Sequence, residues 1–188
     1  DFDGKRSEWA KKGFTFDIDY NQYFQGVVDG GIDTGSEYGG TIDYNINVDF
    51  DRMGLIPGGL FQMRAVSRYG KSVNGTSGAL MPLNVDATHP TTTMLDDDVT
   101  LWLPVITYTQ FLSETFGLSI GKMDMFGTTN EFSGGKGRTQ WWTQNINMPT
   151  SPALIVPYSV LAAAAIYMPR PDLTITGLIC TSSDTSNH

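Results

Sequence analysis

The sequence predicts an all-β protein, namely part of an antiparallel up-and-down transmembrane β-barrel with a short N-terminal helix. Three observations lead to this prediction. Strand-like segments alternate between apolar and polar side chains, aromatic residues stand near the ends of the apolar faces, and the links between segments alternate between short and long. A strand with lipid on one side and a water-filled lumen on the other needs this alternation, and a meandering chain collects its short links at one end.

The first elements along the chain are a helix and a strand. The composition of residues 7–12 favours a helix, and Gly13 is suited to end it. The strand that follows has two distinct faces, since Phe16 and its neighbours at even positions are apolar, whereas Asp17 and Asp19 belong to a polar face. This separation predicts a strand with one side in an apolar environment and the other in water.

The second strand, predicted over residues 36–51, has the clearest pattern in the chain. Its even positions are apolar and its odd positions are polar: Ile42, Tyr44, Ile46, Val48 and Phe50 alternate with Thr41, Asp43, Asn45, Asn47 and Asp49. The run is longer than the five or six residues that are usual for a strand in a soluble sheet. We therefore expect the even positions to contact lipid and the odd positions to contact a lumen.

Five further strands complete the predicted order. They cover residues 61–69, 99–112, 118–125, 158–168 and 173–181, separated by short links at 53–59, 113–117 and 169–172 and by long irregular segments at 70–98 and 126–156. No linker divides the chain, so residues 1–188 are expected to form one domain, with the helix in 1–13 and the strands and loops in 14–181.

Composition excludes several classes of function. The formal net charge of −8 and the pI near 4.5 make a nucleic-acid partner unfavourable. A single cysteine, Cys180, excludes a metal site made of several cysteines. No Ser or Cys has the setting of a nucleophile next to a base, so no catalytic residue, metal site or cofactor is predicted.

The main alternative is a soluble antiparallel β-sandwich that binds a ligand or partner, because its strands also alternate. Two features favour the barrel. The polar faces of the first two strands hold four aspartates with hardly a lysine nearby, and aromatic residues near the ends of the apolar faces match an interfacial girdle: Tyr20, Phe24, Tyr38 and Phe50. An enzyme built on a small barrel is a third possibility, but the sequence offers no catalytic constellation for it.

Five segments point to a known family by their order and spacing. They read GKRSEWAKKGFTFDIDYNQYFQGVVDGG, YGGTIDYNINVDFDRMGLIPGGLFQMRAVSRYGKSVN, LSIGKMDMF, NEFSGGKGRTQWW and PYSVLAAAAIYMPRPDLTITGLI. Together they resemble the carbohydrate-selective porin (OprB) family of bacterial outer membranes. The resemblance implies a diffusion channel for sugars and other small polar solutes, with about sixteen strands in each barrel.

The resemblance also implies partners, and the chain departs from the family in its length. The partners would be outer-membrane lipid and lipopolysaccharide and small sugars; the resemblance leaves open whether copies of the protein also form a homo-oligomer. Seven predicted strands are an odd number, whereas single-chain bacterial barrels have an even one. We therefore expect the chain to be the N-terminal part of a longer protein; a complete short barrel and a barrel assembled from several chains are the alternatives.

Charged residues on the strands are the first group of candidate pore-lining residues. The cations Arg64, Arg68 and Lys122 would project into the lumen. They would face acids on another part of the wall: Asp17, Asp19, Asp43 and Asp49. Opposed walls of unlike charge create a transverse field that selects polar solutes. The alternative is that these charges only neutralise one another.

The second group lies in the long segment 126–156, where general porins fold a loop into the barrel. By that analogy, polar groups there would exchange hydrogen bonds with sugar hydroxyls: Glu131, Lys136, Arg138 and Gln140. Trp141 and Trp142 would stack on the apolar face of a pyranose ring. The alternative is that the glycines form only a flexible tip and that both tryptophans serve packing or the girdle.

Overall fold

One short helix and seven strands make up the part of the chain that the computed structural model describes, which is residues 3–79, 82–84, 86–87, 101–125, 141–143, 157, 159–183 and 185. The elements are α1 (Lys5–Lys11), β1 (Phe14–Val27), β2 (Gly35–Asp49), β3 (Gly59–Gly70), β4 (Trp102–Phe111), β5 (Phe116–Asp124), β6 (Ser159–Arg170) and β7 (Leu173–Cys180). Over these residues, α1 falls short of the length and apolarity that a membrane-crossing helix needs.

The strands form a single antiparallel sheet in the order in which they follow one another along the chain. Within the part of the chain that the structure describes, each strand pairs only with its neighbours in sequence. The short links 50–58, 112–115 and 171–172 consequently lie at one end of the sheet, and the links 28–34, 71–101 and 125–158 lie at the other. The predicted up-and-down topology is confirmed, and the two long links are at the same end of the sheet, although the first link at that end, 28–34, is shorter than the link 50–58 at the other.

Several element boundaries differ from the predicted ones. The helix begins at Lys5 instead of at residue 7, and β5 begins at Phe116 instead of at residue 118. Strand β6 continues to Arg170, so the turn predicted over 169–172 is reduced to 171–172. The register of β6 against β7 shifts between Tyr167 and Arg170, around Pro169, which has no N–H to give to a ladder. The predicted start of β4 at 99–100 lies outside the described residues.

The two faces of the sheet have the reverse of the burial found in a soluble protein. One face, called the outer face, exposes large apolar side chains: Phe16, Ile18, Tyr20, Phe24, Tyr38, Leu118, Ile120, Leu161, Tyr167 and Ile175. On the opposite, inner face, Asp43 is 1% exposed, whereas Ile18 on the outer face is 54% exposed. A soluble sandwich would bury its apolar face against a second sheet. The described residues form only one sheet, so the sandwich alternative is wrong.

Aromatic residues stand at both ends of the outer face, as the sequence predicted. Toward the end with the long links, Tyr20 stacks on Tyr69 at 5.8 Å between ring centroids, and Tyr38 lies 6.3 Å from the same ring. At the opposite end, Phe50 packs against Tyr108 at 6.3 Å. Tyrosine rings with polar hydroxyls suit the two boundaries between hydrocarbon and water.

Candidate functional site

The inner face brings polar side chains from different strands together because the pairing keeps every polar position in register. Asp19 lies opposite Asp43 across β1 and β2, and Asn45 of β2 lies opposite Arg64 of β3. Side chains directly opposite one another in an antiparallel pair are close enough to interact. The alternation in sequence thus becomes a mostly polar wall, in which Val66 lies opposite Asp43 and Val105 opposite Arg64.

A buried ion cluster lies near the middle of this wall. The guanidinium of Arg64 donates from Nε to Asp43 and from Nη1 to Oδ2 of Asp124, the latter at 3.0 Å. The side chain of Arg64 is 13% exposed, and those of Asp43 and Asp124 are 1% and 5% exposed. A planar guanidinium can satisfy two carboxylates at once, which is what buried charges require.

Arg64 lies on the inner face, but its direct ion pair with Asp43 was not predicted. These two charges were expected on different parts of the wall, whereas the structure pairs them on adjacent strands. Adjacent strands are only about 4.8 Å apart, so a long arginine side chain reaches across easily. Arg64 thus pairs with carboxylates on nearby strands, Asp43 on β2 and Asp124 on β5.

Two stretches of the link between β3 and β4, residues 82–84 and 86–87, lie against the inner face; together they are called the inward segment. Thr41 donates from Oγ1 to Oδ2 of Asp86 at 2.6 Å, and Arg68 donates from Nη1 to the carbonyl of Ala87 at 2.6 Å. The guanidinium of Arg68 also lies 5.6 Å from the ring centroid of Trp102, a cation–π contact. Arg68 therefore anchors the inward segment as well as lining the wall.

Further hydrogen bonds hold the inward segment in one conformation. Asn84 and Asn74 pair reciprocally, since Nδ2 of Asn74 donates to the carbonyl of Asn84 and the N–H of Asn84 donates to Oδ1 of Asn74, both at 2.9 Å. The side chain of Asn84 donates to Oε1 of Gln25 on β1 at 2.8 Å. The segment is thus fixed to β1, β2 and β3 together.

The link between β5 and β6 also reaches the inner face. Trp142 meets Tyr23 of β1 edge to face, with 6.5 Å between ring centroids and 72° between planes. Tyr23 is buried, while Trp141 and Trp142 keep exposed surface. The other residues predicted in this link lie outside the described residues: Glu131, Lys136, Arg138 and Gln140. One tryptophan of the predicted filter therefore does lie against the wall.

The remaining acids mostly have arginine partners that the sequence analysis did not foresee. Asp17 pairs with Arg6 of α1, and Asp49 pairs with Arg52, whose Nε lies 3.1 Å from Oδ2. Asp19 accepts a hydrogen bond from Nδ2 of Asn45 at 3.4 Å. Neutralisation at Asp17, Asp43 and Asp49 supports the alternative that inner charges satisfy one another locally.

Lys122 lies on β5, where the alternation changes. Leu118 and Ile120 are exposed on the outer face, so strict alternation would place residues 122 and 124 there as well. Instead Lys122 is buried and Asp124 pairs with Arg64 on the inner face. Gly121, between the two patterns, has φ +137°, a conformation that residues with a side chain rarely adopt.

Sequence reasoning missed several residues that shape the wall. Asp124, Asp86, Thr41, Trp102 and Tyr23 were not candidates, although each contacts a predicted residue or the inward segment. The position of Thr41 on the polar face was visible from alternation. The contacts of Asp86 with β2 and of Trp142 with β1 depend on how the long links return across the sheet, which local sequence does not encode.

Comparison with known proteins agrees with the sheet and with the motifs. A family model described as carbohydrate-selective porin, OprB family, matches residues 33–188. No curated protein shows a significant match. The high-pH structure of OprB from Pseudomonas putida is similar with a TM-score of 0.75 and 16% identity, covering 97% of this chain and 44% of that one. Its low-pH structure gives a TM-score of 0.56, 14% identity, and coverage of 95% and 48%.

The similarity to these structures confirms the predicted fold. The chain spans less than half of the length of the solved porins that it matches. The family model covers most of the chain, including all strands after β1. The family resemblance inferred from the five segments is confirmed as well. The chain therefore belongs to the OprB family of carbohydrate-selective porins, which are proteins of the bacterial outer membrane.

Proposed function

We propose that the protein containing this chain is a channel, not an enzyme, through which sugars and other small polar solutes diffuse passively across the outer membrane. The observation that carries the proposal is the inverted sheet, whose apolar side chains are exposed and whose charged side chains are covered. Such a sheet suits a wall between hydrocarbon and a polar lumen. Membership of a carbohydrate-selective family supplies the solute class.

The sheet edges support closure by further strands. Among the described residues, β1 pairs only with β2 and β7 pairs only with β6, so each has one edge without a partner. Hydrocarbon provides no hydrogen bonds, and an open edge there would cost several kcal/mol for each unpaired group. We therefore retain the proposal that this chain forms the N-terminal part of a barrel of about sixteen strands.

The proposed selectivity depends on the inner wall and the links that cover it. Arg64 and Arg68 are fixed charges on the wall, and the inward segment narrows the space in front of it. Trp142 adds an aromatic surface next to Tyr23. Hydrogen-bonding charges beside an aromatic ring suit a pyranose, which has hydroxyls at its rim and an apolar face. The predicted contributions of Glu131, Lys136, Arg138, Gln140 and Trp141 belong to the same proposal.

The outer face suggests the partners of the protein in the membrane. Its exposed apolar side chains would contact lipid tails, and its tyrosines would lie at the level of headgroups, including lipopolysaccharide on the side of the long links. Part of the same surface could instead be shared between copies in a homo-oligomer. Crosslinking of the protein in native membranes would distinguish a lipid-exposed outer face from a subunit interface.

Planar-bilayer recording of the whole protein tests the proposed channel. We expect steady ohmic conductance in KCl that falls as D-glucose is added, because a sugar in the lumen obstructs the ion path. The exposed pair Arg170–Asp172 lies at the short-link end, so an Arg170→Met channel is a suitable control and should behave like the wild type. A protein that inserts without conducting would refute the channel, and conductance insensitive to every sugar would leave only a general porin.

A further inference from the structure

A cavity of about 410 Å³ lies on the inner face at the end of the sheet with the short links. One side of it is formed by Ala10 and Gly13, at the end of α1, and the opposite side by the strands β1 to β4. The Arg6–Asp17 ion pair holds α1 over this part of the wall. The volume lies within the range of small-molecule sites in proteins.

The wall of this cavity contains a row of four polar residues, one from each strand, with Leu60 and Thr109 beside them. Thr15 pairs with Asn47, Asn47 with Gln62, and Gln62 with Thr107, so the four stand side by side across the sheet. Neighbouring strands are about 4.8 Å apart, which sets the spacing of the row. All four residues line the cavity.

The chemistry of this row differs from that of the Arg64 cluster. Hydroxyl and amide side chains are uncharged, and each can donate and accept hydrogen bonds. The one charged pair at the cavity, Asp49 with Arg52, is internally neutralised at 3.1 Å. A surface of this kind matches a neutral polyol, whose hydroxyls also donate and accept, better than it matches an ion.

Two members of the row keep hydrogen-bonding capacity for a ligand. Within the described part of the chain, the side chains of Gln62 and Thr107 make no hydrogen bond, and Gln62 is exposed to the cavity. Thr15 and Asn47 are joined only by a long contact of 3.4 Å between Nδ2 and Oγ1. A bound hydroxyl could therefore pair with these groups without breaking a short protein hydrogen bond.

We infer that this cavity is a separate sugar subsite for a neutral monosaccharide or a polyol of similar size, at the periplasmic mouth of the pore. The periplasmic assignment follows from the short links, which face the periplasm in outer-membrane barrels. The inference rests on the proposed channel function and adds a binding step after the charged region around Arg64. Solute leaving that region would meet neutral hydrogen-bonding groups before the exit.

The test is one-sided addition of D-glucose to whole-protein channels in planar bilayers, on the side that the short links face. The variant Gln62→Leu/Thr107→Val removes two hydrogen-bonding groups with little change in side-chain volume. We expect the apparent glucose affinity to fall by at least about 5-fold, because each neutral hydrogen bond contributes about 0.5–1.5 kcal/mol. Stepwise conductance increases in KCl without sugar show that the variant folds and inserts, whatever the size of the unit conductance.

Two controls separate the possible results. Thr107→Ser keeps the hydroxyl and should retain glucose affinity within about 2-fold, whereas Gln22→Leu alters the same residue type on the outer face and should have no effect. Equal affinity of the wild type and the double variant would overturn the subsite and leave the channel intact. A wild type that conducts but that no sugar blocks would instead remove the proposed sugar selectivity, and the subsite with it, and leave only a general porin.

Discussion

Arg64 illustrates how a charged residue can be retained in a nearly dry environment. Its two carboxylate partners, Asp43 and Asp124, come from β2 and β5, so one guanidinium connects strands on both sides of its own. Each carboxylate would be costly to bury alone, and the arginine offsets both costs. The cluster therefore fixes the middle of the wall as well as its charge.

Replacement of Arg64 by methionine should destabilise the protein strongly. Each of the two buried carboxylates would lose an ion-pair partner, and loss of one member of a buried ion pair typically costs about 3–5 kcal/mol. Urea unfolding of the whole protein in lipid vesicles, followed by tryptophan fluorescence, measures this change in the free energy of unfolding.

Arg170→Met is the matched control for this measurement, because Arg170 pairs with Asp172 in the open, at 3.3 Å with both side chains mostly exposed. An exposed ion pair contributes at most about 1 kcal/mol. Equal unfolding free energies for Arg64→Met and Arg170→Met would show that the Arg64 cluster does not stabilise the wall.

Alternation was sufficient to predict which side Arg64 and Asp43 would face, but not the position of Asp124. Asp124 would lie outside if β5 alternated strictly from Ile120, and Gly121, with a positive φ, lies between the two parts of the strand. A glycine within a strand signals such irregularities without specifying them. Which residues of β5 face inward therefore could not be predicted from alternation alone.

Strand β2 approaches its neighbours closely at Gly40. A Cβ built there would lie 2.2 Å from the backbone carbonyl oxygen of Asn21 and 2.3 Å from the hydroxyl of Tyr69. Tyr69 thus covers the glycine on the outer face, where its hydroxyl also bonds that of Tyr20 at 2.8 Å. The glycine is required by the proximity of its neighbours, not by an unusual φ.

Gly40→Ala should therefore lower the unfolding free energy by about 1–3 kcal/mol, because backbone atoms must move to admit the methyl group. Gly177→Ala on β7 is the control, since a Cβ there meets nothing within 4 Å, and its effect should stay within about 0.5 kcal/mol. Urea midpoints of both variants in lipid vesicles provide the comparison. Equal midpoints would refute the close packing at Gly40.

The inward segment depends on the hydrogen bond between Thr41 and Asp86. A hydrogen bond to a charged group contributes about 1.5–3 kcal/mol, so Thr41→Val should make local opening of the segment at least about tenfold more frequent. Hydrogen exchange at the amides of Asn84 and Ala87 reports this opening, since both N–H groups are bonded in the closed form. Unchanged exchange would show that this bond does not hold the segment.

Thr109→Val is the control for that experiment. It removes the hydrogen bond of 2.9 Å from the hydroxyl of Thr109 to that of Ser119. This bond joins β4 to β5 and does not involve the inward segment. Exchange at Asn84 and Ala87 should be unaffected.

The long links were predicted only as irregular segments, because contacts such as Thr41 with Asp86 join residues far apart in sequence, where propensity and periodicity give no information.

The molecule as a whole is organised by the separation of its two faces. The outer face exposes isoleucine, leucine and tyrosine, and the inner face covers aspartate, arginine and lysine with its own links and helix. This arrangement would be unstable in water, where exposed apolar surface costs about 25 cal/mol for each Å². In a membrane the same arrangement is favourable, and for that reason the alternation in sequence predicted the fold.

The most direct test is a cysteine scan along β2 of the whole protein in lipid vesicles, in a Cys180→Ser background because Cys180 is exposed. Single cysteines at residues 42, 44, 45, 46 and 47 are treated with a charged, water-soluble maleimide. We expect thiols at 45 and 47 to react through the lumen and thiols at 42, 44 and 46 to stay protected by lipid. Reaction at the even positions with protection at the odd ones would contradict the account.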